Sequence, residues 1–502
     1  MAIRELPLGG MNWRSKARVL DWAVPLGFGL VLCLMVPLRT ALEFGGDEGY
    51  ELTKAFLVNL GHPLYREVWN DQPPLHTALL ALLFRIFGPS AWVGRLLSVG
   101  FAIVLVGALY RLVSQQSGRV AGLVAVGLLA PSSFFLQLSV SVMIELPAMA
   151  LALAAVRAWS NYFAGKSRRW LILSGVLFGC ALQVKLTAAM FLPALAVEYL
   201  ARRIGRKQEI CGVRPQFFWR RRWELIAWCG AVVAAFGVIA VAFYNWDSLP
   251  VFWASHFSAA TQKAVASDGY GFQPESLLND VALLAPAAVG IALIGWNRRW
   301  DLLFPILLLA TAFAIHLWHR PYWDYYVLHF AIPLAWLGAA GIVEWFRAIW
   351  KQDLRASLAA KLRAGMEWLV WSMIVSLVLT LAPKKAWNEL MRLSASSPAL
   401  EDPRVMGLKK HAAQTHWVFT TRVIYAFWAG LPVPPELAVI PSKRIWSRQI
   451  GKAEIIDCLD KYRPEVILIG SDWETKFGLS EYMQAHYQAD SANGLDGLYL
   501  RK

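Results

Sequence analysis

Acidic residues cluster near the start of the chain, between positions 43 and 71. They are Glu43, Asp47, Glu48, Glu51, Glu67 and Asp71. Asp47 precedes a helical run and is a good N-cap residue, and acids in the first turn suit the positive end of a helix dipole. A carboxylate at the mouth of a cavity has another use, as a general base that takes the proton of a hydroxyl group. The sequence leaves both interpretations of Asp47 open.

Two further charged residues occur in apolar surroundings. Lys185 is the only charged residue between Trp170 and Val197, and Glu145 stands in the run SVMIELP. A charge in lipid is costly, so both side chains are expected to face a wet cavity or an opposite charge. A cation there is suited to hold a phosphate, although a lysine near a helix end also extends its ammonium to the membrane surface. Glu145 is either the partner of a buried cation or a site residue.

The segment from residue 316 to 329, HLWHRPYWDYYVLH, is dense in polar and aromatic groups. These are His316, His319, Arg320, Tyr322, Asp324, Tyr325, Tyr326 and His329. An aromatic belt with one interfacial arginine is the structural interpretation. A polar clamp on a phosphate is the functional one, and the position between two predicted helices fits it better. No HExxH or similar spacing is present, so we predict no metal site.

The elements that must position these residues are apolar helices. Of the 502 residues, 57% are hydrophobic and 17% are charged, which is unusual for a soluble protein. Apolar runs of roughly 17 to 25 residues recur, each long enough to cross a bilayer core of about 30 Å. They predict membrane helices at 22–42, 92–113, 120–137, 142–162, 170–184, 186–201, 225–244, 278–296, 302–318, 327–346 and 367–382. The predicted fold class is therefore an all-α polytopic membrane protein of about eleven transmembrane helices.

The distribution of basic residues predicts the orientation. The net charge is +15, but the Lys and Arg residues fall in alternate connections, roughly 25 on one side against about five on the other, which is the positive-inside pattern and no sign of nucleic-acid binding. The N-terminus is then cytoplasmic and the C-terminus extracytoplasmic, in the plasma (inner) membrane. No cleavable signal peptide is expected, and the five cysteines have no disulfide or zinc spacing.

The chain divides into two predicted domains. Residues 1–383 form the transmembrane domain, with a first extracytoplasmic loop at 43–91 and a second large outer loop at 246–276. The first loop contains a helix from Asp47 to Leu60 and the short apolar run from Leu75 to Phe87, which we expect on the outer surface. Residues 384–502 have soluble composition and predict a small extracytoplasmic α/β domain, with strands at 416–420, 437–440, 466–470 and 497–500 and a helix at 453–462.

Several runs resemble one known family. Asp47-Glu48, then GHPLYREVWNDQPPLHTALLALLFRIFG, WVGRLLS, GCALQVKLTAAMFLPAL and YYVLHFAIPLAWL are similar to the dolichyl-phosphate-mannose protein mannosyltransferase-like family of GT-C glycosyltransferases. Its relatives include the bacterial lipid A aminoarabinose transferase. The resemblance implies an inverting transferase that moves a sugar from a polyprenyl-phosphate donor to a hydroxyl acceptor (lipid, glycan or protein) on the extracytoplasmic face.

The resemblance also implies roles for particular residues. Asp47 matches the essential loop acid, with Glu48 assigned beside it as catalytic. Lys185 matches a lysine of the family, and donor phosphate binding is assigned to it together with Arg320, Tyr325 and Tyr326 of the polar segment 316–329. The supporting site residues are Asp71, Glu145, His256, His319 and His329. Asp71-Gln72 stands where the aminoarabinose transferase has Glu-Lys before Pro-Pro-Leu, so the phosphate contact of that lysine is missing here.

Two other functions remain open. A polytopic transporter or lipid flippase also has many helices with buried charges, but there are no repeat halves and the polar residues gather at the outer face. An oligosaccharyltransferase is suggested by the WDYY run at 323–326, which resembles a WWDYG motif in the wrong domain. No certain cofactor is predicted, and a divalent cation stays open. The sugar, the acceptor, the polyprenol and the oligomeric state are not determined by the sequence.

Overall fold

Apolar helices dominate the chain. The structure, a computed structural model, describes residues 13–208, 216–243, 249–350, 358–490 and 495–502. The helices up to residue 394 are α1 Trp13–Met35, α2 Glu48–Asn59, α3 Leu75–Phe87, α4 Ala91–Ser117, α5 Arg119–Leu129, α6 Phe135–Val140, α7 Glu145–Phe163, α8 Arg169–Val184, α9 Phe191–Gln208, α10 Gln216–Phe243, α11 Leu249–Phe257, α12 Ala259–Ser267, α13 Val281–Trp296, α14 Leu303–Trp318, α15 Val327–Trp350 and α16 Leu358–Ser394. A helix therefore occupies part of every predicted membrane segment.

Six helical stretches in the described ranges have both the length and the apolar composition to cross a bilayer. They are Ala91–Ser117, Trp223–Phe243, Pro274–Trp296, Trp300–Trp318, Asp324–Arg347 and Trp368–Ser394. Shorter apolar helices lie at Val19–Met35, Leu75–Phe87, Arg119–Leu129, Arg169–Val184 and Leu186–Ala201. The chain is a multi-pass membrane protein, as predicted.

Close packing between α13 and α15 depends on glycine. A Cβ built on Gly341 would lie 2.4 Å from the Cα of Gly290, so any larger residue would push the two helices apart. Small residues at such a crossing are the common way for membrane helices to gain contact area. The apolar span of α15 is buried inside the bundle.

One predicted membrane helix is interrupted. The segment 120–137 was expected to be continuous, but α5 ends at Leu129 and α6 begins at Phe135. Pro131 lacks a backbone N–H, so the chain leaves the helix, and Phe134 adopts a left-handed conformation with φ 64°. The break brings Phe134 and Gln137 to a cavity wall described below.

The C-terminal domain combines short helices with a small sheet. Its elements are α17 Pro403–Lys410, α18 Val423–Ala429, α19 Ser442–Trp446, α20 Lys452–Tyr462, α21 Ser471–Phe477 and α22 Ser480–His486, with β1 Val418–Thr420, β2 Val466–Leu468, β3 Tyr487–Ala489 and β4 Leu498–Arg501. The strand order is β1-β2-β4-β3, with β1 parallel to β2 and the other two pairs antiparallel. The predicted division at residue 384 falls inside α16.

The strand predictions were mostly right. Strands occur within three of the four predicted segments, and the predicted helix at 453–462 is α20. The strand expected at 437–440 is wrong, because Pro434 and Pro435 start a 3₁₀ turn there instead. Strand β3 was not predicted.

The first outer loop packs directly on the C-terminal domain. Helices α2 and α3 share an apolar core with α18, and the Phe84 and Phe427 rings stack at 5.9 Å. A Cβ on Gly49 would lie 3.0 Å from that of Ile424, so the approach is close. Of the second predicted outer loop, α11 and α12 are described, and residues 246–248 lie outside the described residues.

Candidate active site

A cavity of about 640 Å³ lies where the first outer loop, the helix ends and the C-terminal domain meet. Its charged lining residues are Asp47, Glu51, Lys54, Asp71, Glu145, Lys185, Asp324, Lys443 and Lys476. The start of α2, the start of α7, the end of α8 and the start of α15 contribute to its wall. These helix ends bring together residues that are far apart in sequence.

Asp47 stands on the cavity wall without an ion-pair partner among the described residues. It is the N-cap residue of α2, but its side chain makes no capping hydrogen bond. The Tyr325 hydroxyl lies 3.5 Å from Oδ2, too far for a strong hydrogen bond. Burial raises the pKa of the Asp47 carboxyl, and the nearby Glu51 carboxylate raises it further. A carboxylate in this state is a good proton acceptor.

Glu48 points away from the cavity into a buried ion pair. Its carboxylate accepts bonds from Arg95 Nε at 2.9 Å and Nη2 at 3.1 Å, and from the backbone N–H of Phe44 at 2.7 Å. Both side chains are fully buried. Arg95 also donates to the carbonyl oxygens of Leu38 and Ala41. The pair therefore ties α4 to the backbone on either side of Asp47.

Glu51 is held by neighbouring donors. Lys54 Nζ donates to Oε1 at 2.7 Å, and His76 Nδ1 lies 3.3 Å from Oε2. Burial acts to raise the pKa of Glu51, but Lys54 and His76 outweigh it and lower the pKa to about 2. Lys54 also donates to Asn70 at 3.0 Å. This ion pair lines the cavity while each charge remains compensated.

Asp71 joins the first outer loop to two other parts of the chain. His256 Nε2 lies 3.2 Å from Oδ2, and Lys443 Nζ lies 3.7 Å from the same atom. Burial would raise the pKa of Asp71, but the His256 bond and the Lys443 charge lower it well below the usual range. Burial also lowers the pKa of Lys443, and Asp71 opposes that effect. Lys443 is thus a nearly dry cation on the cavity wall.

Lys185 belongs to a chain of buried polar groups. Its ammonium donates to Glu145, whose other oxygen lies 2.5 Å from His329 Nε2. His329 Nδ1 in turn lies 2.8 Å from His316 Nε2. Lys185 takes its direction from the extended backbone that ends α8. Glu145 is therefore the partner of a buried cation and also part of the cavity lining.

Aromatic residues in and beside the short turn that precedes α15 form one side of the cavity. The Lys185 ammonium lies 5.1 Å from the centre of the Tyr325 ring and 4.5 Å from that of Tyr326, distances at which a cation is attracted to a ring face. Trp323 stacks on Trp446 of the C-terminal domain. This wall is apolar enough for a sugar face or an isoprenoid unit.

The structure does not bring every predicted site residue to the cavity. Arg320 is exposed, and neither it nor His319 lines the cavity. His256 acts through Asp71, and His329 acts through Glu145. Asp47, Asp71, Glu145, Lys185, Tyr325 and Tyr326 do line it.

Sequence reasoning missed several lining residues. Lys443 and Lys476 come from the C-terminal domain, whose soluble composition gives no local signal of a site. Lys476 is exposed and forms no ion pair within the described part of the chain. Lys54 is placed three residues after Glu51 on α2, and that spacing was the signal that could have revealed the pair. In the described ranges no group of three His, Cys, Asp or Glu residues is arranged to hold a metal ion, and the predicted lack of a metal site stays a prediction.

Comparison with known proteins finds one matching family model and several solved structures with a similar fold. The model of the family described as dolichyl-phosphate-mannose-protein mannosyltransferase matches residues 71–211. The structure of ArnT from Cupriavidus metallidurans in the apo state is similar to this chain, with a TM-score of 0.59 and 13% identity. The match covers 94% of this chain and 95% of that chain. The structure of the same protein bound to undecaprenyl phosphate has a TM-score of 0.53 and 13% identity, and the match covers 93% of this chain and 95% of that chain.

An oligosaccharyltransferase from Archaeoglobus fulgidus, in complex with Zn and sulfate, gives a TM-score of 0.51 at 13% identity, with 95% of this chain covering 72% of that one. No curated protein matches. At such identities the solved structures establish the shared fold, and the family match covers part of the membrane domain. The chain therefore shares the fold of these membrane proteins, and residues 71–211 match the model of the dolichyl-phosphate-mannose-protein mannosyltransferase family.

Proposed function

We propose that the cavity catalyses transfer of a sugar from a polyprenyl phosphate to a hydroxyl acceptor, with inversion at the anomeric carbon and with Asp47 as general base. The observation that carries this assignment is the uncompensated Asp47 carboxylate on the wall of a cavity whose other buried acids are paired. Burial raises the pKa of this carboxyl, which makes the carboxylate a stronger proton acceptor than an ordinary aspartate. Glu48, buried against Arg95, positions the start of α2.

The reaction is a single displacement. The acceptor oxygen attacks the anomeric carbon, its proton passes to Asp47, and the bond from that carbon to the phosphate oxygen breaks. The electron pair leaves with the polyprenyl phosphate. One displacement inverts the configuration at the reacting carbon, and no covalent sugar–enzyme species is formed.

Lysines are proposed to compensate the phosphate. Lys443 is buried beside Asp71, and Lys185 is buried beside Glu145, so each provides a desolvated N–H donor set at the cavity surface. Charge held in such a dry site stabilises a leaving anion more than the same charge in water. Lys476, exposed at the rim, adds a third cation.

The cavity is proposed to open on the extracytoplasmic side. It lies at the ends of α8 and α15 opposite to those near Arg168 and Arg347. Arg299 and Arg347 donate to the backbone of residues 116 and 117, so the basic connections meet at one end of the bundle. The positive-inside rule makes that end cytoplasmic. A location in the plasma (inner) membrane is part of the same proposal.

The test is transfer of radiolabelled sugar by purified protein in nanodiscs. Asp47 makes no capping hydrogen bond and Asn has the same size, so Asp47→Asn should fold normally. It should nevertheless lose about 10²- to 10⁴-fold in turnover if the carboxylate is the base. Asp457→Asn, on the exposed face of α20, is the matched control. Normal turnover by folded Asp47→Asn would reject this role.

The rival function is transport or flipping of a lipid without bond cleavage. It forecasts movement of intact labelled lipid across a proteoliposome membrane, with no sugar transferred to acceptor. Measuring both products in the same preparation separates the two functions. Movement of the labelled lipid across the membrane, without sugar transfer to any acceptor tested, would favour the transporter.

A further inference from the structure

Two buried histidines stand behind Lys185 and outside the cavity. His316 is 2% exposed and His329 is 1% exposed, and neither belongs to the cavity lining. His316 lies in the last turn of α14 and His329 in the first turn of α15. The segment between these helices carries the aromatic wall of the cavity, so the histidine pair joins the two helices behind that wall.

Hydrogen-bond chemistry fixes which ring nitrogens carry hydrogen. An ionised carboxylate only accepts hydrogen bonds, so His329 Nε2, 2.5 Å from Glu145 Oε1, must be a donor. In a neutral ring the other nitrogen, Nδ1, is then an acceptor. It lies 2.8 Å from His316 Nε2, which must in turn be a donor. Both rings therefore carry hydrogen on Nε2, and the hydrogen bonds run in one direction, from His316 through His329 to Glu145.

The far end of this chain of hydrogen bonds supports the neutral assignment. His316 Nδ1 is buried without a hydrogen-bond partner among the described residues. If His329 carried a second proton, His316 would have to accept at Nε2 and place its own N–H at Nδ1, where no acceptor is in reach. A buried N–H group without an acceptor is costly. The pair therefore delivers one N–H group to Glu145 and adds no charge.

That N–H group decides how Glu145 uses its two oxygens. Oε1 accepts from His329 and, at 3.3 Å, from the Thr187 hydroxyl, whereas Oε2 accepts from the Lys185 ammonium. Because Oε1 is occupied, Lys185 pairs with a single oxygen. The rest of its ammonium stays available to the Tyr326 ring, 4.5 Å away, and to the cavity that Lys185 lines. Without the histidine, both carboxylate oxygens would be open to the ammonium and would draw it away from the cavity.

The same histidines also support Tyr326. The centre of its ring lies 5.3 Å from that of His329, with 13° between the ring planes, and 5.2 Å from that of His316, with 28°. The histidine pair therefore contacts both groups that hold the Lys185 ammonium, the Glu145 carboxylate and the Tyr326 ring.

We propose that His316 and His329 are positioning residues, which hold Lys185 in the orientation that binds the phosphate of the donor. His329 acts through Glu145, and His316 acts through His329. This inference rests on the phosphate-binding role of Lys185 in the proposed function and does not depend on the proton transfer to Asp47. Its measure is therefore the binding of a polyprenyl phosphate, which needs no turnover.

The experiment titrates the purified full chain in detergent with undecaprenyl phosphate and counts bound lipid by native mass spectrometry. Uncharged undecaprenol is the reference for the isoprenoid contact. Each histidine is replaced by Gln and by Asn. The side-chain nitrogen of Gln reaches about as far as Nε2 of histidine, so His329→Gln keeps a donor toward Glu145. The shorter side chain in His329→Asn does not reach, and the same comparison at position 316 tests the donor toward His329.

The expected losses follow the order of the chain. His329→Asn should weaken binding of undecaprenyl phosphate about tenfold, the change that matches loss of one hydrogen bond to a charged group. His316→Asn should weaken it about two- to tenfold, because the lost hydrogen bond joins two neutral groups. The two Gln variants should bind close to the parent chain, and undecaprenol binding should not change. His486→Asn, at an exposed histidine of α22, is the control.

A double variant separates positioning from a general structural effect. Lys185→Gln removes the phosphate contact itself, so adding His329→Asn to it should cause no further loss of binding. A histidine that only stabilised the packing of α14 and α15 would weaken binding to the same extent with and without Lys185.

The proposal is overturned if His329→Asn binds undecaprenyl phosphate as tightly as the parent chain, if His329→Gln loses as much as His329→Asn, or if the losses in the double variant add. If His329→Asn does not fold, His316→Asn alone and combined with Lys185→Gln decides by the same criteria. The proposed function fails separately, when folded Asp47→Asn transfers sugar normally, and that result leaves the binding forecast unchanged.

Discussion

The buried Glu48–Arg95 pair offers a stringent test of how the site is built. Glu48 adjoins Asp47 in sequence, and a catalytic role for it predicts loss of activity without loss of stability. The structure indicates the opposite, because both side chains are fully buried and joined by two hydrogen bonds of 2.9 and 3.1 Å. Removing one partner leaves the other charge uncompensated inside the protein.

The expected magnitude follows from that burial. Breaking a buried ion pair by removing one partner typically costs about 3–5 kcal/mol. Glu48→Gln and Arg95→Met should each lower the free energy of unfolding by that amount. In the double variant no unpaired charge remains, so its loss should be smaller than the sum of the single losses, by about 0.5–3 kcal/mol. Arg95→Met also frees the carbonyls of Leu38 and Ala41, so it should be the more damaging single change.

The assay is reversible unfolding in mixed micelles followed by tryptophan fluorescence, with sugar transfer measured on the folded fraction. A positioning role predicts that Glu48→Gln and Arg95→Met lower turnover together, since both release the start of α2 that holds Asp47. Arg392→Met, whose pair with Glu389 is partly exposed, is the control and should cost at most about 1 kcal/mol. The reasoning is refuted if Glu48→Gln is as stable as the parent protein but inactive while Arg95→Met retains activity.

Three more outcomes are expected. Because burial raises the pKa of Asp47, kcat/KM should rise with pH through an apparent pKa above the ordinary carboxyl value of about 3.9. An apparent pKa at or below that value on the acid side of the pH profile would contradict the assignment of Asp47 as the base. Lys443→Gln should raise the donor KM about ten- to a hundredfold, because a charged contact worth roughly 1.5–3 kcal/mol is lost. Arg320→Gln should leave the donor KM unchanged, because Arg320 is exposed outside the cavity. Donor titrations of folded protein measure both effects, and the reverse ranking would support the phosphate clamp at Arg320 that the sequence predicted. Single cysteines at the exposed positions 66 and 472 should react with an impermeant reagent in intact cells, while one at 203 should not. The opposite pattern would invert the topology.

Two acids of the site, Glu51 and Asp47, are expected to make stability depend on pH in opposite directions. The pKa of Glu51 is lowered to about 2 by Lys54 and His76 against the effect of burial, so its ion pair adds stability above the unfolded pKa of about 4.3, and that stability is lost as the pH falls toward 2. The raised pKa of Asp47 acts the other way, since its ionised form is disfavoured in the fold. Asp47→Asn should therefore be at least as stable as the parent protein at neutral pH.

Much of the architecture was determined by local sequence. Apolar runs fixed the positions of the membrane helices because backbone polar groups in lipid must bond within their own segment, and a helix was found within each of the eleven predicted segments. The acidic loop and its two helices followed from Asp47, Gly61 and the run from Leu75 to Phe87. A resemblance to the dolichyl-phosphate-mannose protein mannosyltransferase-like family was also apparent from the sequence, through the Asp-Glu pair and the PPL helix, and the family model matches residues 71–211.

The site itself was decided by tertiary structure. Asp47 and Glu48 are adjacent acids, yet successive residues on a helix point about 100° apart, so one faces the cavity and the other meets Arg95. Whether an acid is free or paired depends on which distant segment packs against it. Lys443 reaches Asp71 only because the C-terminal domain closes over the loop, while Arg320, next to the aromatic wall in sequence, stays outside. Composition and spacing carry no record of these long-range contacts, since they form only when the helix ends and the outer domain are packed together.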